Sequence, residues 1–381
     1  MHAPGQPSGS PGRTDTASGS PAGPGTPFDA YGLPDRPGTD AFWATAAPAC
    51  VPSADGGWTA LFRWRGSPAV LEFESWSQPV PLVRWRETDC WYAEVRMPAR
   101  LRVTYRFLVG DVSYADPFNP VGAGGERSIA ATPDAPPQPH WPAVDAADVL
   151  PLPRTRVRWT SELLGGRRTV RVHPVGGGGP VVLLLDGDDW LHLHPAMTAF
   201  DAAFAAGEMP PATLVFVPAK DRLGEFGCRP RWWEAVRDEL LPLVADGEVP
   251  ADTGTLVVAG QSLGGLSAMY AALEFPDLVS RVACQSGSFW WTPGAEDLAD
   301  PLGGPAGGAI AARLREHPAP AGLRIAFDLG EHETRMLPHC EAVEALTKNS
   351  GATVRVSRSA AGHDRAGWRQ ALLRDVAWAL A

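Results

Sequence analysis

The chain has 381 residues, 44% of them hydrophobic, which suffices for two packed domains of ordinary soluble type. Its formal net charge of -10 excludes a general nucleic-acid partner, which would need a basic surface. Only Lys220 and Lys348 of the 33 basic residues are lysines, so nearly every cation can make planar, bidentate contacts with anions.

Residues 1–38 are rich in Gly, Pro, Ser and Thr, too polar to offset their ordering entropy, and are expected to form a disordered tail. They contain no apolar signal-peptide core, and no run of about 18 apolar residues follows, so a cytoplasmic protein with no membrane partner is expected. From 39 to 132 the pattern is short and β-like: WTALFRWRG (58–66), AVLEFES (69–75), WYAEVRM (91–97) and LRVTYRFLV (101–109), separated by turn residues. Val103, Tyr105 and Phe107 alternate with Arg102, Thr104 and Arg106, which predicts opposite faces of a strand and a small β-sandwich. The proline-rich stretch 133–154 reads as an extended interdomain linker.

Beyond it the style changes. PVVLLLDG (180–187), TLVFVPA (213–219), TLVVAGQS (255–262), VSRVACQSG (279–287) and LRIAFDLG (323–330) are apolar runs. Helix-like segments such as RWWEAVRDELLPLV (231–244) and LGGLSAMYAALEF (263–275) lie between them. Buried strands alternating with helices predict a parallel sheet covered on both faces, so 155–381 is expected to be an α/β domain.

GQSLG (260–264) matches G-x-S-x-G, with an apolar strand before it and a helix after it. That is the setting of a nucleophile elbow, and Ser262 is the candidate nucleophile of an α/β-hydrolase domain. A serine hydroxyl needs a neighbouring base, and in this fold the order is Ser, acid, His. The histidines after Ser262 are His317, His332, His339 and His363. His363 follows the strand-like ATVRVSRS (352–359) and precedes the final helix, which makes it the candidate base. His332 is its competitor, and His317 and His339 are expected at the surface. The acid should follow LRIAFDLG, where Glu331 and Glu333 are both available. Oxyanion donors are expected from the backbone N–H of Leu263 and from Gly187 or Asp188 in LLLDGDDW. The HxH pair His192 and His194 has no evident third ligand and is expected to be structural. The five cysteines Cys50, Cys90, Cys228, Cys284 and Cys340 show no C-x-x-C spacing, so neither a disulfide framework nor a zinc ribbon is expected.

With these residues assembled, the chain resembles the enterochelin esterase family, bacterial enzymes that hydrolyse ferric catecholate siderophores. The resemblance rests on FRWRG (62–66), DPFNP (116–120), LLLDGDDW (183–190), DELLPLV (238–244), AGQSLGGLSAMYAALEFP (259–276), CQSGSFWW (284–291) and GHD (362–364). It implies an early-set immunoglobulin-like N-terminal domain, Ser262 as nucleophile, His363 as base and, through GEHE (330–333), Glu333 as acid. It also implies a trianionic ferric siderophore as substrate and no metal or organic cofactor, iron arriving only with the substrate. Arg222 and Glu225 match the family's R-x-x-E, whereas Cys228-Arg229 replaces its usual Cys-Asn pair. Substrate contacts are expected from Arg222, Arg229, Trp190 and Trp290, with Arg231, Trp232, Trp233, Arg335 and Arg365 as further candidates for an electropositive, aromatic pocket. The rival functions are a general carboxylesterase or acyltransferase on the same scaffold and a non-catalytic siderophore-binding protein.

Overall fold

Ten short strands precede the α/β segment: β1 (Ala49–Pro52), β2 (Trp58–Arg65), β3 (Val70–Phe73), β4 (Val80–Pro81), β5 (Val83–Arg84), β6 (Cys90–Met97), β7 (Arg102–Val109), β8 (Val112–Tyr114), β9 (Gly122–Gly124) and β10 (Arg127–Ala131). The structure is a computed structural model that describes residues 26–33, 37–74, 78–144 and 149–381. β1, β2, β6 and β5 form one sheet, and β4, β3, β7, β10 and β9 another, with β8 paired to β7. Ala60, Phe62 and Val95 from the first sheet meet Leu71, Val103, Tyr105 and Phe107 from the second in one apolar core. The alternation in β7 therefore faces the core as expected. Thr104, on its other face, is also buried, because the C-terminal domain covers it.

Strand β2 is buried on both faces for a reason that lies outside it. Leu61 packs under Phe28, Phe42 and Trp43, two of them from the short helix α1 (Asp40–Ala44). Arg63, fully buried beside them, donates to the carbonyls of Phe42 and Thr45 at 2.5 and 2.6 Å. The expected tail 1–38 is thus corrected over 26–33, where Phe28 is anchored by edge-to-face contacts with Phe42, Trp85 and Tyr92. Residues 1–25 and 34–36 of that tail, and Ser75 of AVLEFES, lie outside the described residues.

The α/β segment has one eight-stranded sheet in the order β11-β12-β14-β13-β15-β16-β17-β18. Its strands are β11 (Thr155–Thr160), β12 (Arg167–Val175), β13 (Gly179–Leu185), β14 (Ala212–Val217), β15 (Ala251–Gln261), β16 (Arg281–Gln285), β17 (Arg324–Gly330) and β18 (Thr353–Ser359). From β14 to β18 the pairing is parallel; β11 and β12 join antiparallel. One face carries α2 (Gly187–His192), α3 (Ala196–Ala205) and α10 (Arg365–Leu380). The other carries α4 (Arg222–Phe226), α5 (Pro230–Ala235), a π-turn (Val236–Leu240), α6 (Leu241–Ala245), α7 (Leu263–Glu274), α8 (Gly308–Glu316) and α9 (Leu337–Asn349). Burial on both faces explains why β13 reads VVLLL with no polar alternation.

The expected linker is not a free spacer. Trp141 is buried against Trp190, with ring centroids 6.0 Å apart, and Gln138 donates to the Ala366 carbonyl at 2.7 Å. The expected extended form is broken by turns at 133–134 and 139–140, where Ala135 N–H donates to the Thr132 carbonyl and Trp141 N–H to the Gln138 carbonyl, and the side-chain contacts strap the segment to the α/β domain; residues 145–148 lie outside the described residues. No helix among the described residues is long and apolar enough to cross a membrane.

Candidate active site

Strand β15 ends at Gln261 and helix α7 begins at Leu263, so the whole reversal falls on Ser262, with φ 55° and ψ -120°. A non-glycine residue there is strained, and such strain clusters at functional sites. The turn closes only because Gly260 lacks a side chain: a Cβ would lie 2.3 Å from the Gly264 carbonyl carbon. Ser262 is half-buried, and its Oγ lies 3.0 Å from Ser288 Oγ. The hydroxyl thus rests on Ser288 rather than on an imidazole; catalytic hydrogen bonds in unliganded enzymes often tighten only with substrate.

His363 and Glu333 come together from the loops after β18 and β17. Glu333 Oε2 lies 2.8 Å from His363 Nδ1, with the glutamate buried. Ser286 Oγ donates to the other carboxylate oxygen and accepts from Trp368 Nε1 at 2.9 Å. Trp368 also stands edge-on to the imidazole, 4.9 Å between centroids at 87°. The ring is therefore held on one nitrogen and one edge. Glu331, the other carboxylate the sequence allowed, is exposed. His332 Nε2 is buried with no hydrogen-bond partner among the described residues. His317 is exposed, but His339 is buried, with Nε2 on the Leu302 carbonyl at 3.0 Å; its expected surface position is corrected because α9 packs that face inward.

The candidate oxyanion donors flank this point. Asp186, with φ 54°, turns β13 into α2, and a Cβ on Gly187 would lie 2.5 Å from the Phe216 carbonyl carbon. Gly187 and Asp188 occupy the first turn of α2, and Leu263 opens α7; N–H groups at such positions have no partner within their own helix. The two turns adjoin, since a Cβ on Gly264 would lie 3.6 Å from Asp186 Oδ2.

Arg222 holds the same corner. Its Nε and Nη2 fork onto the two oxygens of Asp186 at 2.8 Å each, and Nη2 also reaches the Gln261 carbonyl at 3.2 Å. Arg222, a ligand contact expected from the sequence, is thus braced internally, with 37% of its side-chain surface still exposed. Arg365 pairs with Asp189 at 2.6 Å, and Arg335 with Asp300. Trp190 is fully buried, with Nε1 on Gln261 at 3.0 Å, so it presents no face to a ligand. Trp232 and Trp233 are buried too, and the expected aromatic pocket loses all three. The hydrophobic face of α5 claims the latter pair, which sequence spacing cannot distinguish from a ligand-facing pair. Trp290 is half-buried and Arg229 and Arg231 are exposed. Glu225 is buried against Arg168. His192 is exposed, whereas His194 is buried and accepts from Arg369 at 2.7 Å on Nδ1.

Sequence reasoning missed Asp186, Ser286, Ser288, Asp364 and Trp368. The available signal was the polar run CQSGS at the end of a buried strand, followed by GHD. Asp364, next to the imidazole, is fully buried and accepts from Thr104 N and Oγ1 of β7, at 2.5 and 2.8 Å, and from Ala366 N of α10 at 2.7 Å. It thereby caps α10 and pins the sandwich to the His363 loop. Burial, aided by Glu74, pushes its pKa up from 3.8 to about 6. The folded state therefore takes up this proton first. The cost of the buried charge is fully present above about pH 6 and is relieved as the pH falls toward 4. Relative to Asp364→Asn, the wild type should gain stability between about pH 7 and about pH 5. Urea midpoints at the two pH values check this; an unchanged difference between the proteins would refute it.

Comparison with known proteins places this geometry. Residues 161–379 match the family model "Putative esterase". An iron(III) enterobactin esterase of Escherichia coli O6:H1 is 30% identical over 350 residues, covering 82% of this chain and 85% of that protein. The chain belongs to the iron(III) enterobactin esterase family. A second member, from Dickeya dadantii, is 34% identical over 285 residues, spanning 70% of this chain and 65% of its own length. The crystal structure of ferric enterobactin esterase from Salmonella typhimurium superposes with a TM-score of 0.77 at 28% identity, covering 89% of this chain and 98% of that one. The enterobactin esterase of Shigella flexneri, crystallised in the presence of enterobactin, gives 0.76 at 26% identity, with 89% and 97% covered. These superpositions extend over the sandwich as well as the α/β sheet, so the family likeness is not confined to the elbow.

Proposed function

We propose that the chain is a serine esterase that opens the trilactone of ferric enterobactin-type siderophores and so releases iron in the cytoplasm. The observation that carries the reading is the Glu333–His363 hydrogen bond of 2.8 Å, formed in an enterobactin esterase family member with a strained serine elbow. In this reading His363 Nε2 takes the Ser262 proton as Oγ attacks a lactone carbonyl. Backbone N–H groups of Leu263 and of Gly187 or Asp188 hold the oxyanion. The C–O bond to the neighbouring serine oxygen then breaks, that oxygen receives the proton from His363, and an acyl-enzyme remains. Water, deprotonated by the same imidazole, releases the linear acid and restores Ser262. Glu333 keeps the Nδ1 proton directed and stabilises the imidazolium, with Ser286 and Trp368 positioning it.

No organic cofactor or resident metal is needed; iron enters as cargo. Arg222, Arg229 and Trp290 remain the ligand contacts proposed from the sequence. The sandwich is read as an early-set immunoglobulin-like domain over 39–132, extended by the packed residues 26–33, with the catalytic domain at 155–381. Mass spectrometry of a ferric trilactone after incubation tests the function: linear trimer and smaller fragments are expected, and intact trilactone with measurable binding would refute it. Glu333→Gln, which keeps shape but loses charge, should lower kcat on the order of 10⁴-fold with little change in KM. Steady-state kinetics on the trilactone check this; a loss below tenfold would remove Glu333 from the role.

A further inference from the structure

One face of the edge hairpin β11–β12 carries four arginines with no carboxylate partner among the described residues. Its register sets Arg156 opposite Arg171, Arg158 opposite Thr169, and Thr160 opposite Arg167. Trp159, Val170 and Val172 turn into the core on one face, so Arg156, Arg158, Arg167 and Arg171 share the other. The first, second and third of these are exposed and Arg171 is half-buried. Arg171 donates to the Pro153 carbonyl at 3.1 Å, and none of the four forms an ion pair among the described residues. Other arginines are paired, as in Arg168–Glu225 on the opposite face of the same hairpin, Arg222–Asp186 and Arg365–Asp189. Directly opposed like charges on a strand pair are destabilising, and Arg156 faces Arg171 in that way. Lys220, one of two lysines, adds to the hairpin tip: a Cβ on Gly166 would lie 3.4 Å from its Nζ.

The register also says where this face lies. Arg171 pairs with Phe216 on β14, which pairs with Leu184 on β13. Arg171 is therefore level with the residue two before Asp186, about 10 Å away across two strand spacings. Because β12 runs antiparallel to β14, Thr169 and Arg167 continue past it toward the C-terminal ends of the parallel strands, the end that carries Ser262. Arg171 is less basic than an ordinary arginine through burial and then through Arg156, with the carboxylate of Asp188 opposing them. The patch thus flanks α2, whose first turn holds the candidate oxyanion donors.

We propose that this arginine face is an electrostatic docking platform that captures the polyanionic iron chelate and delivers it to Ser262. The proposal rests on the function above. Three doubly deprotonated catechols around one ferric ion leave a net charge of minus three, with phenolate oxygens on the rim, and guanidinium forks suit such oxygens. A chain of net charge -10 repels that chelate on average, so capture needs a local patch of opposite sign. Steering of this kind raises association rates by roughly 10- to 1000-fold and fades as salt rises.

The test is the triple variant Arg156→Gln, Arg158→Gln, Arg167→Gln, which leaves the half-buried Arg171 in place. With a ferric tris-catecholate trilactone, kcat/KM of the wild type should fall steeply between about 20 and about 300 mM salt. The variant should lose on the order of tenfold or more in kcat/KM at low salt, lose most of the salt dependence, and keep kcat. Its kcat/KM on a neutral short-chain aryl ester should match the wild type, a readout that a merely structural role for the arginines would move. Chelate kinetics within twofold of wild type at low salt would overturn the platform. So would unchanged chelate kinetics accompanied by lost binding to RNA or to anionic vesicles, which would assign the face to another polyanion. If the wild type fails to cleave the chelate, the esterase reading fails first. The platform is then judged by chelate quenching of tryptophan fluorescence, with and without the triple substitution in Ser262→Ala protein, and equal Kd values would overturn it.

Discussion

Ser262→Ala is expected to lower kcat on a ferric trilactone by roughly a million-fold, about 8 kcal/mol of transition-state stabilisation, while chelate binding survives. The size follows from the chemistry the serine starts. In the proposed mechanism, without Oγ there is no acyl-enzyme, and His363 has no proton to take. What remains is substrate positioning and the candidate oxyanion donors, and in a serine hydrolase these by themselves leave a residual rate of the order of 10³–10⁴ over water. The backbone at this position is already committed to φ 55° by the closeness of Gly260 to Gly264, so alanine inherits a strained but unchanged turn. The fold should therefore persist. Stopped-flow or discontinuous product analysis with the same Kd for wild type and variant would show the loss to be chemical. A loss below a hundredfold would remove Ser262 from the nucleophile's place.

His363→Ala should cost nearly as much, because residues that work as one unit give non-additive losses. The double variant Ser262→Ala, His363→Ala should be no worse than either single one. His363 has the positional support that a base requires: Glu333 on Nδ1 at 2.8 Å and the Trp368 edge against the ring. His332 has no such support, its Nε2 being buried without a partner among the described residues. His332→Ala is therefore expected to change kcat by less than about tenfold. If activity survived in His363→Ala and vanished in His332→Ala, the assignment would be reversed. Multiplicative losses in the double variant would mean that the two groups act independently, contrary to proton transfer between them.

Much of this site was legible before any tertiary structure. The elbow could be read because its requirement is local: an apolar strand, two flanking glycines and a helix within twenty residues define the turn that only such residues permit. The choice between Glu331 and Glu333 was not, since two residues on one loop differ only in which one the loop turns inward. Glu333 is inward because Ser286, 47 positions away, and His363, 30 positions away, bind its two oxygens. The aromatic pocket failed for a related reason. Trp190, Trp232 and Trp233 lie where a ligand contact and a core contact look alike in sequence, and the helices rotate all three into the core.

The sequence by itself determined the two structural styles of this protein, the strand–turn–helix at Ser262, and the chain order that offers His363 as base. Each depends on periodicity or sterics within a few turns of chain. Only the tertiary structure decided which glutamate meets the imidazole and that Arg222 braces Asp186. It also decided that 133–144 is strapped down and that Asp364 ties the sandwich to the catalytic loop across 260 residues. Those contacts depend on the order of strands in the sheet and on which helix face is buried, quantities that no local window of residues contains.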